Sequence, residues 1–207
     1  PPVNPDLPAS RRGWFEAFGR GNARAFDRHG WQYYVRDVFD LHYPGYWDSW
    51  PSLHGAIGMT YETDGGGSRG LRWRRRDGSV VTFRDGIARH FVASLATVET
   101  AVENREALLH DFAAFFRSGM ERGRSGEPAR AYVLAPGDDP RRAAVLAATL
   151  LLHGVEVERT TEAFDGRGVR HRTGAAGGRR FPAGSYVVDM AQPDARAAAT
   201  FLRRDVP

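Results

Sequence analysis

Glu62 lies at a position in the sequence where a carboxylate could act as a general acid or base. It follows the apolar run Ala56–Tyr61 and precedes the glycines Gly65–Gly67. An apolar run of this length between turn residues predicts a buried strand over Ala56–Glu62, and Gly58 inside it indicates that another part of the chain passes close to its backbone. A carboxylate at the end of a buried strand is suited to proton transfer. In most globular chains, however, such a glutamate lies at a solvated sheet edge or forms an ion pair with a basic side chain.

The stretch from Tyr43 to Gly70 reads YPGYWDSWPSLHGAIGMTYETDGGGSRG, with aromatic and acidic residues clustered before the apolar run. The part Tyr43–Glu62 resembles the C-terminal half of the catalytic domain of the zinc carboxypeptidases, the carboxypeptidase A-like metallopeptidases. Within that family it is most similar to a bacterial branch with large chains. The resemblance continues more weakly through Arg84–Glu106 and Phe181–Pro193 (FPAGSYVVDMAQP), so it covers most of the chain.

The resemblance implies roles for five residues. Glu62 falls at the place of the family's general base. Tyr43 and Tyr46 are both candidates for the mobile tyrosine that closes over substrate, and their spacing does not choose between them. Asp48 and Thr60 fall where the family builds the wall of the side-chain pocket, and the small, neutral Thr60 implies no preference for a basic or an acidic terminal residue. The implied substrate is a peptide, cut at its C-terminus.

The resemblance also implies zinc, held by a His-x-x-Glu motif and a later histidine, all upstream of the general base. The chain has one literal His-x-x-Glu, His153 and Glu156, which falls at a helix-to-strand junction and is interpreted as a turn. Neither His29 nor His42 has a partner at metal-ligand spacing, so no residue of this chain is assigned to the metal. Because the chain begins at Pro1 and its motif begins in mid-domain, we expect a fragment that supplies the general base but not the zinc ligands.

The composition limits the kinds of site and function that the chain can have. The chain has 207 residues, 42% of them hydrophobic, and it contains no cysteine, which excludes disulfides and thiolate metal sites. All 29 basic residues are arginine, and the net charge is +4. The dense run Arg72–Arg76 adjoins an Asp77-Gly78 turn, so a solvated hairpin explains it better than a nucleic-acid site.

No apolar run is long enough to span a bilayer. The sequence decides neither the oligomeric state nor the cellular compartment. It allows a secreted or periplasmic location.

We expect an α/β protein: the C-terminal half of a mixed-sheet carboxypeptidase domain over residues 1–124, then a small, incomplete α/β domain over 125–207. In the first part the patterns predict four elements: a helix capped by Ser10, a strand Trp31–Val35, a hairpin about Asp77-Gly78, and one long helix or two joined near Asn104 over Ile87–Met120.

Gly119–Pro128 has the composition of a linker. Beyond it the patterns predict, in order, a strand Ala131–Leu134, a helix Asp138–His153, a strand Val155–Val157, a loose segment Phe164–Arg180, a strand Ser185–Met190 and a helix Pro193–Arg203. This alternation indicates a parallel α/β unit. It also allows a second interpretation, a non-catalytic module that binds a small molecule or a protein through the part after Ser125, with Glu62 structural. A polyanion-binding role for the arginines ranks last.

Overall fold

The computed structural model describes residues 3–35, 40–63, 71–171 and 176–203. These residues form six helices and seven strands: α1 Ser10–Asp27, α2 Ser49–Leu53, β1 Arg72–Arg74, β2 Val80–Thr82, α3 Phe83–Glu103, α4 Arg105–Ser125, β3 Ala131–Leu134, α5 Pro140–Leu152, β4 Glu158–Arg159, β5 Phe164–Arg170, β6 Ala176–Phe181, β7 Tyr186–Asp189 and α6 Ala195–Phe201. The chain combines helices and sheets, so the α/β prediction is confirmed at that level.

The chain divides into two compact units. Unit 1 comprises Pro1–Ser52 and Ala56–Phe112, and unit 2 comprises Leu53–Gly55 and Ala113–Pro207. The division falls inside α4, whereas the domain boundary expected near Ser125 coincides with the end of that helix. None of the described helices is both long and apolar enough to cross a membrane.

Unit 1 is built on the contact between α1 and α3. Gly21 allows the close approach, because a Cβ there would lie 2.2 Å from the hydroxyl oxygen of Thr100. An ion pair between the buried Arg11 and the half-buried Asp111 (3.4 Å) ties α1 to the first part of α4. The helix expected from Ser10 is confirmed, but Ser10 does not cap it: Ala9 occupies the N-cap position, without a side-chain hydrogen bond.

The hairpin about Asp77-Gly78 is confirmed as β1 and β2, with Gly78 at φ +87° in the turn. The predicted strand Trp31–Val35 is wrong, since these residues have no regular structure. The Trp31 amide instead donates to the Phe26 carbonyl, and its ring stacks on His29 (centroids 4.4 Å apart), so the chain folds back on the end of α1.

The long helical region is two helices that meet at Asn104, as one of the two predicted arrangements requires. Asn104 is the C-cap of α3, and its side chain donates to the Thr100 carbonyl (2.8 Å). The predicted linker is wrong over most of its length, because α4 runs on to Ser125. The glycines that suggested a linker, Gly119 and Gly123, are buried on that helix and provide close packing rather than flexibility.

Unit 2 contains a three-stranded sheet of order β3-β7-β4, in which β7 is antiparallel to both neighbours. The predicted parallel pairing is therefore wrong. The strands β3 and β4, joined through α5, do run in the same direction, but β7 lies between them. The strand expected at Val155–Val157 forms later, at Glu158–Arg159, and the segment predicted as loose is the hairpin β5–β6.

The helix predicted over Asp138–His153 is confirmed as α5, and local interactions set its two ends. Asp139 is its N-cap and accepts a hydrogen bond from the Arg141 amide (3.0 Å), with Pro140 in the first turn, where its missing N–H costs nothing. Gly154 follows the helix with φ +81°. The hydrophobic core of unit 2 then closes between α5, β7 and α6 with these buried residues: Leu150, Val155, Val188, Met190, Ala195, Ala198 and Ala199.

Candidate functional site

The residues predicted as the strand Ala56–Glu62 contain no strand, and this part of the prediction is wrong. After α2 and a turn, the chain continues without regular structure over residues 56–63, hereafter the site segment. Within the described part of unit 1 the sheet is the hairpin β1–β2, and neither of its strands pairs with the site segment. A strand requires a neighbour for its N–H and C=O groups, so side chains hold the site segment in place instead.

The first tie joins Gly58 to the start of α2. The Ser52 hydroxyl donates to the Asp48 carbonyl (2.7 Å) and accepts from the Gly58 amide (3.1 Å). A Cβ on Gly58 would lie 1.9 Å from the Asp48 carbonyl oxygen, a distance no side chain can adopt. The close backbone approach predicted at Gly58 is confirmed.

The second tie joins Asp48 and Thr60, the two residues expected in a pocket wall. The Thr60 hydroxyl donates to the buried Asp48 carboxylate (2.8 Å) and accepts from the Trp47 indole N–H (3.1 Å). Ser49 donates to the other carboxylate oxygen at 3.3 Å. Both polar groups of the pair are thus engaged within the protein, and Thr60 presents a neutral surface to solvent.

The third tie runs through Tyr61. Its hydroxyl accepts a hydrogen bond from the side-chain amide of Asn22 on α1 (3.0 Å), and that amide also contacts the Thr97 hydroxyl on α3 (3.3 Å). Burial raises the pKa of the Tyr61 phenol, and hydrogen bonds from Thr97 and Asn22 act in the opposite direction. The phenol is therefore neutral at physiological pH and serves as a fixed hydrogen-bonding group.

Tyr43 and Tyr46 lie together on the loop before α2. Their rings meet edge to face with centroids 5.2 Å apart, and the Tyr46 amide donates to the Tyr43 carbonyl across the Pro44-Gly45 turn (3.2 Å). Both rings remain exposed, at 58% and 47%. The structure therefore brings the two candidate tyrosines together and leaves both available to a ligand.

Glu62 differs from the other candidates. Its side chain is exposed and makes no hydrogen bond or ion pair with another described residue. The expectation that it is buried is wrong, because none of the described strands pairs with the site segment. The backbone beside it is nonetheless held, since Thr60 and Tyr61 are both tied to other elements. Glu62 is thus an accessible carboxylate on an anchored segment.

The described residues do not provide a zinc site: no three histidine, aspartate or glutamate side chains among them lie close enough to share a metal ion. The one His-x-x-Glu sequence is structural. His153 is the C-cap of α5 and stacks on Phe201 (4.8 Å), and the Glu156 backbone exchanges hydrogen bonds with the Gln192 side chain (2.7 and 3.1 Å).

Sequence reasoning missed Asn22, Thr97 and Ser52, which hold the site segment. One signal for Asn22 was present, because it lies four residues after Phe18 and three before Ala25, on the apolar face of α1. A polar residue at such a position needs a buried partner. The spacing of residues along α1 does not identify that partner.

No family model, curated protein or solved structure matches the chain.

Proposed function

We propose that this chain carries the proton-transferring carboxylate and part of the substrate-binding wall of a carboxypeptidase A-like metallopeptidase, which hydrolyses peptide bonds at a free C-terminus. The sequence resemblance over Tyr43–Glu62 supports the proposal. The observation that carries it is the contrast along this motif: Asp48, Thr60 and Tyr61 are engaged in internal hydrogen bonds, whereas the Glu62 carboxylate is left open to solvent.

In the proposed reaction, Glu62 acts as the general base and then as the general acid. Its carboxylate accepts a proton from the water that attacks the scissile carbonyl, and it later delivers that proton to the leaving amine. One water is consumed, and the products are the shortened peptide and a free amino acid. An exposed carboxylate on an anchored segment suits this role, since it can reach a bound substrate without breaking a hydrogen bond or ion pair to another described residue.

The other candidates would contact substrate. Tyr43 and Tyr46 are exposed on a loop and can supply a phenol that closes over the bound peptide. Thr60 would form part of a neutral wall, because its hydroxyl is already bonded to Asp48. A wall without a free charge would accept apolar or small terminal side chains rather than basic or acidic ones.

The resemblance implies a zinc ion, but the described residues do not fit one. No step of the reaction above is therefore assigned to a metal. We propose that the ligands belong to parts of the full-length gene product outside this chain. Residues of this chain contribute the carboxylate and the wall.

The test is Glu62→Gln in the full-length gene product, assayed with an N-terminally blocked peptide from which release of the terminal amino acid is measured. Glutamine keeps the shape of the side chain but cannot take up the proton. Loss of a general base costs about a hundred- to ten-thousand-fold in rate, so kcat should fall by that factor. The melting temperature should stay unchanged, because Glu62 makes no hydrogen bond or ion pair with another described residue that the substitution would remove.

Glu99→Gln is the matched control, since Glu99 is an exposed acid on α3 of the same unit. It should leave kcat unchanged. If Glu62→Gln retains full activity, or if the full-length protein releases no amino acid from any such peptide, the proposal is wrong. The alternative, a non-catalytic binding module with a structural Glu62, would then be favoured.

A further inference from the structure

We infer that Asn22 is a positioning residue for Glu62 and that it acts through the Tyr61 hydroxyl. This inference rests on the proposed function and deepens it, because it identifies what holds the reacting carboxylate in place. Asn22 lies on α1, far from Glu62 in sequence, and its side-chain amide is buried at 7% exposure.

The geometry converges on one amide group. Asn22 Nδ2 lies 3.1 Å from the Phe18 carbonyl, 3.0 Å from the Tyr61 hydroxyl and 3.3 Å from the Thr97 hydroxyl. The Thr97 hydroxyl in turn donates to the Ala93 carbonyl of its own helix (2.8 Å). The amide therefore links α1, α3 and the site segment, and both helices are regular along this stretch.

The link is effective because the site segment lacks a ladder of backbone hydrogen bonds. In a strand, neighbouring backbones would fix the direction of each residue. Here, the side chain of Tyr61 fixes the residue that immediately precedes Glu62, while Thr60 is fixed to Asp48 from the other side. Releasing Tyr61 would let the Glu62 backbone move, and a displacement of about 1 Å at a reacting group can lower a rate by about a hundredfold.

A purely structural role would have a different signature. The contact between α1 and α3 is also made by Gly21 and Thr100, close to Asn22 but without a bond to the site segment. Thr100→Val keeps the shape of that side chain and removes its hydrogen bond to the Ala96 carbonyl. It therefore loosens the same helix pair without touching Tyr61, and it is the matched control.

The experiment compares Tyr61→Phe, Asn22→Ala and Thr100→Val in the full-length gene product. We expect Tyr61→Phe and Asn22→Ala each to lower kcat by about ten- to a hundredfold, with KM changed less than threefold. The double variant should be no slower than the slower single variant, because both changes break the same link. Thr100→Val should lower the melting temperature without lowering kcat.

Two further measurements separate this inference from the proposed function. In a Glu62→Gln background, Tyr61→Phe should have no further effect on kcat, because the group it positions is already inactive. The backbone order parameters of residues 59–63, measured by NMR relaxation, should fall in Tyr61→Phe whether or not the protein is active. A fall in these order parameters together with full activity in Glu62→Gln would overturn the catalytic role of both residues and leave only the anchor.

Unchanged order parameters in Tyr61→Phe would overturn the anchor itself. Additive losses in the double variant, or a loss that persists in the Glu62→Gln background, would overturn the proposed route from Asn22 to Glu62. Tyr61→Phe keeps the ring and its packing, so the test remains valid even if Asn22→Ala fails to fold.

Discussion

At the scale of single residues, Gly58 shows how closely the site segment is packed against the loop before it. The Asp48 carbonyl oxygen occupies the space that a side chain at Gly58 would need, and Ser52 bridges the same two backbone groups. This arrangement fixes the site segment without a sheet. It also explains why an apolar run with the sequence pattern of a strand adopts an irregular conformation here.

Gly58→Ala should therefore destabilise unit 1. The new methyl group would lie 1.9 Å from a backbone oxygen, so the site segment or the loop must move. Forcing an extra carbon into a packed site costs about 1–3 kcal/mol. Gly13→Ala on α1 is the control, because no neighbouring atom of the described residues lies within 4 Å of the added Cβ and alanine favours a helix. Chemical denaturation of both variants checks this; equal stability of the two would contradict it.

At the scale of elements, the start of α3 is the best-defined boundary in unit 1. Thr82 is the N-cap and accepts from the Asp85 amide (3.2 Å), while the Asp85 carboxylate accepts from the Thr82 amide and hydroxyl (2.7 Å each). These bonds, led by the one from the hydroxyl, lower the pKa of Asp85 below its ordinary value of 3.8. The helix that carries Thr97 is thus held at the end nearer the hairpin.

Asp85→Ala should lower the melting temperature at neutral pH, because the capping box is lost. The carboxyl pKa is lower in the folded than in the unfolded state, so its contribution to stability is fully present above the unfolded-state pKa. The contribution disappears as the pH falls through the folded-state pKa. The difference from the unaltered protein should accordingly shrink as the pH falls below 3.8. Thermal melts from pH 7 downwards, with Glu99→Ala on the same helix as control, check this; a difference that does not vary with pH would contradict it.

Helices could be predicted from the sequence more fully than strands. The break near Asn104 and the helix after Asp138 follow from the spacing of apolar residues and from local hydrogen bonds, and the structure confirms both. The pairing of β7 between β3 and β4 depends on residues far apart in sequence, so alternating elements alone could not predict it. The candidate site shows the same difference. Glu62 and its neighbours could be identified from the local sequence. Asn22 could not, because its hydrogen-bond partner, Tyr61, lies far from it along the chain.

At the scale of the whole molecule, each unit relies on small residues where its elements meet. In unit 2, Ala195, Ala197, Ala198 and Ala199 of α6 are buried. Arg196 of the same helix is also buried; its guanidinium donates to the Ser118 hydroxyl (2.9 Å) and lies over the Phe115 ring (5.1 Å). The planar guanidinium can make both contacts at once. Because α4 packs closely against α6, the glycines of α4 determine how tightly unit 2 packs.

Gly123 and Gly119 provide a matched test of that packing, since they lie one turn apart on α4 and both are buried. A Cβ on Gly123 would lie 1.8 Å from the Met190 carbonyl oxygen, whereas the nearest atom to a Cβ on Gly119 is Arg196 Cγ at 3.7 Å, an ordinary contact. Gly123→Ala should therefore cost about 1–3 kcal/mol and increase amide exchange in β7 and α6.

Gly119→Ala should be neutral or slightly stabilising, because alanine is favoured over glycine in a helix by up to about 1 kcal/mol. Denaturation curves and hydrogen exchange on both variants measure these effects. The contrast between two identical substitutions on one helix removes helix propensity as an explanation, since it acts equally at both positions. If Gly123→Ala is tolerated as well as Gly119→Ala, the helix does not contact the Met190 backbone as described, and the packing of α4 within unit 2 is looser than its buried glycines imply.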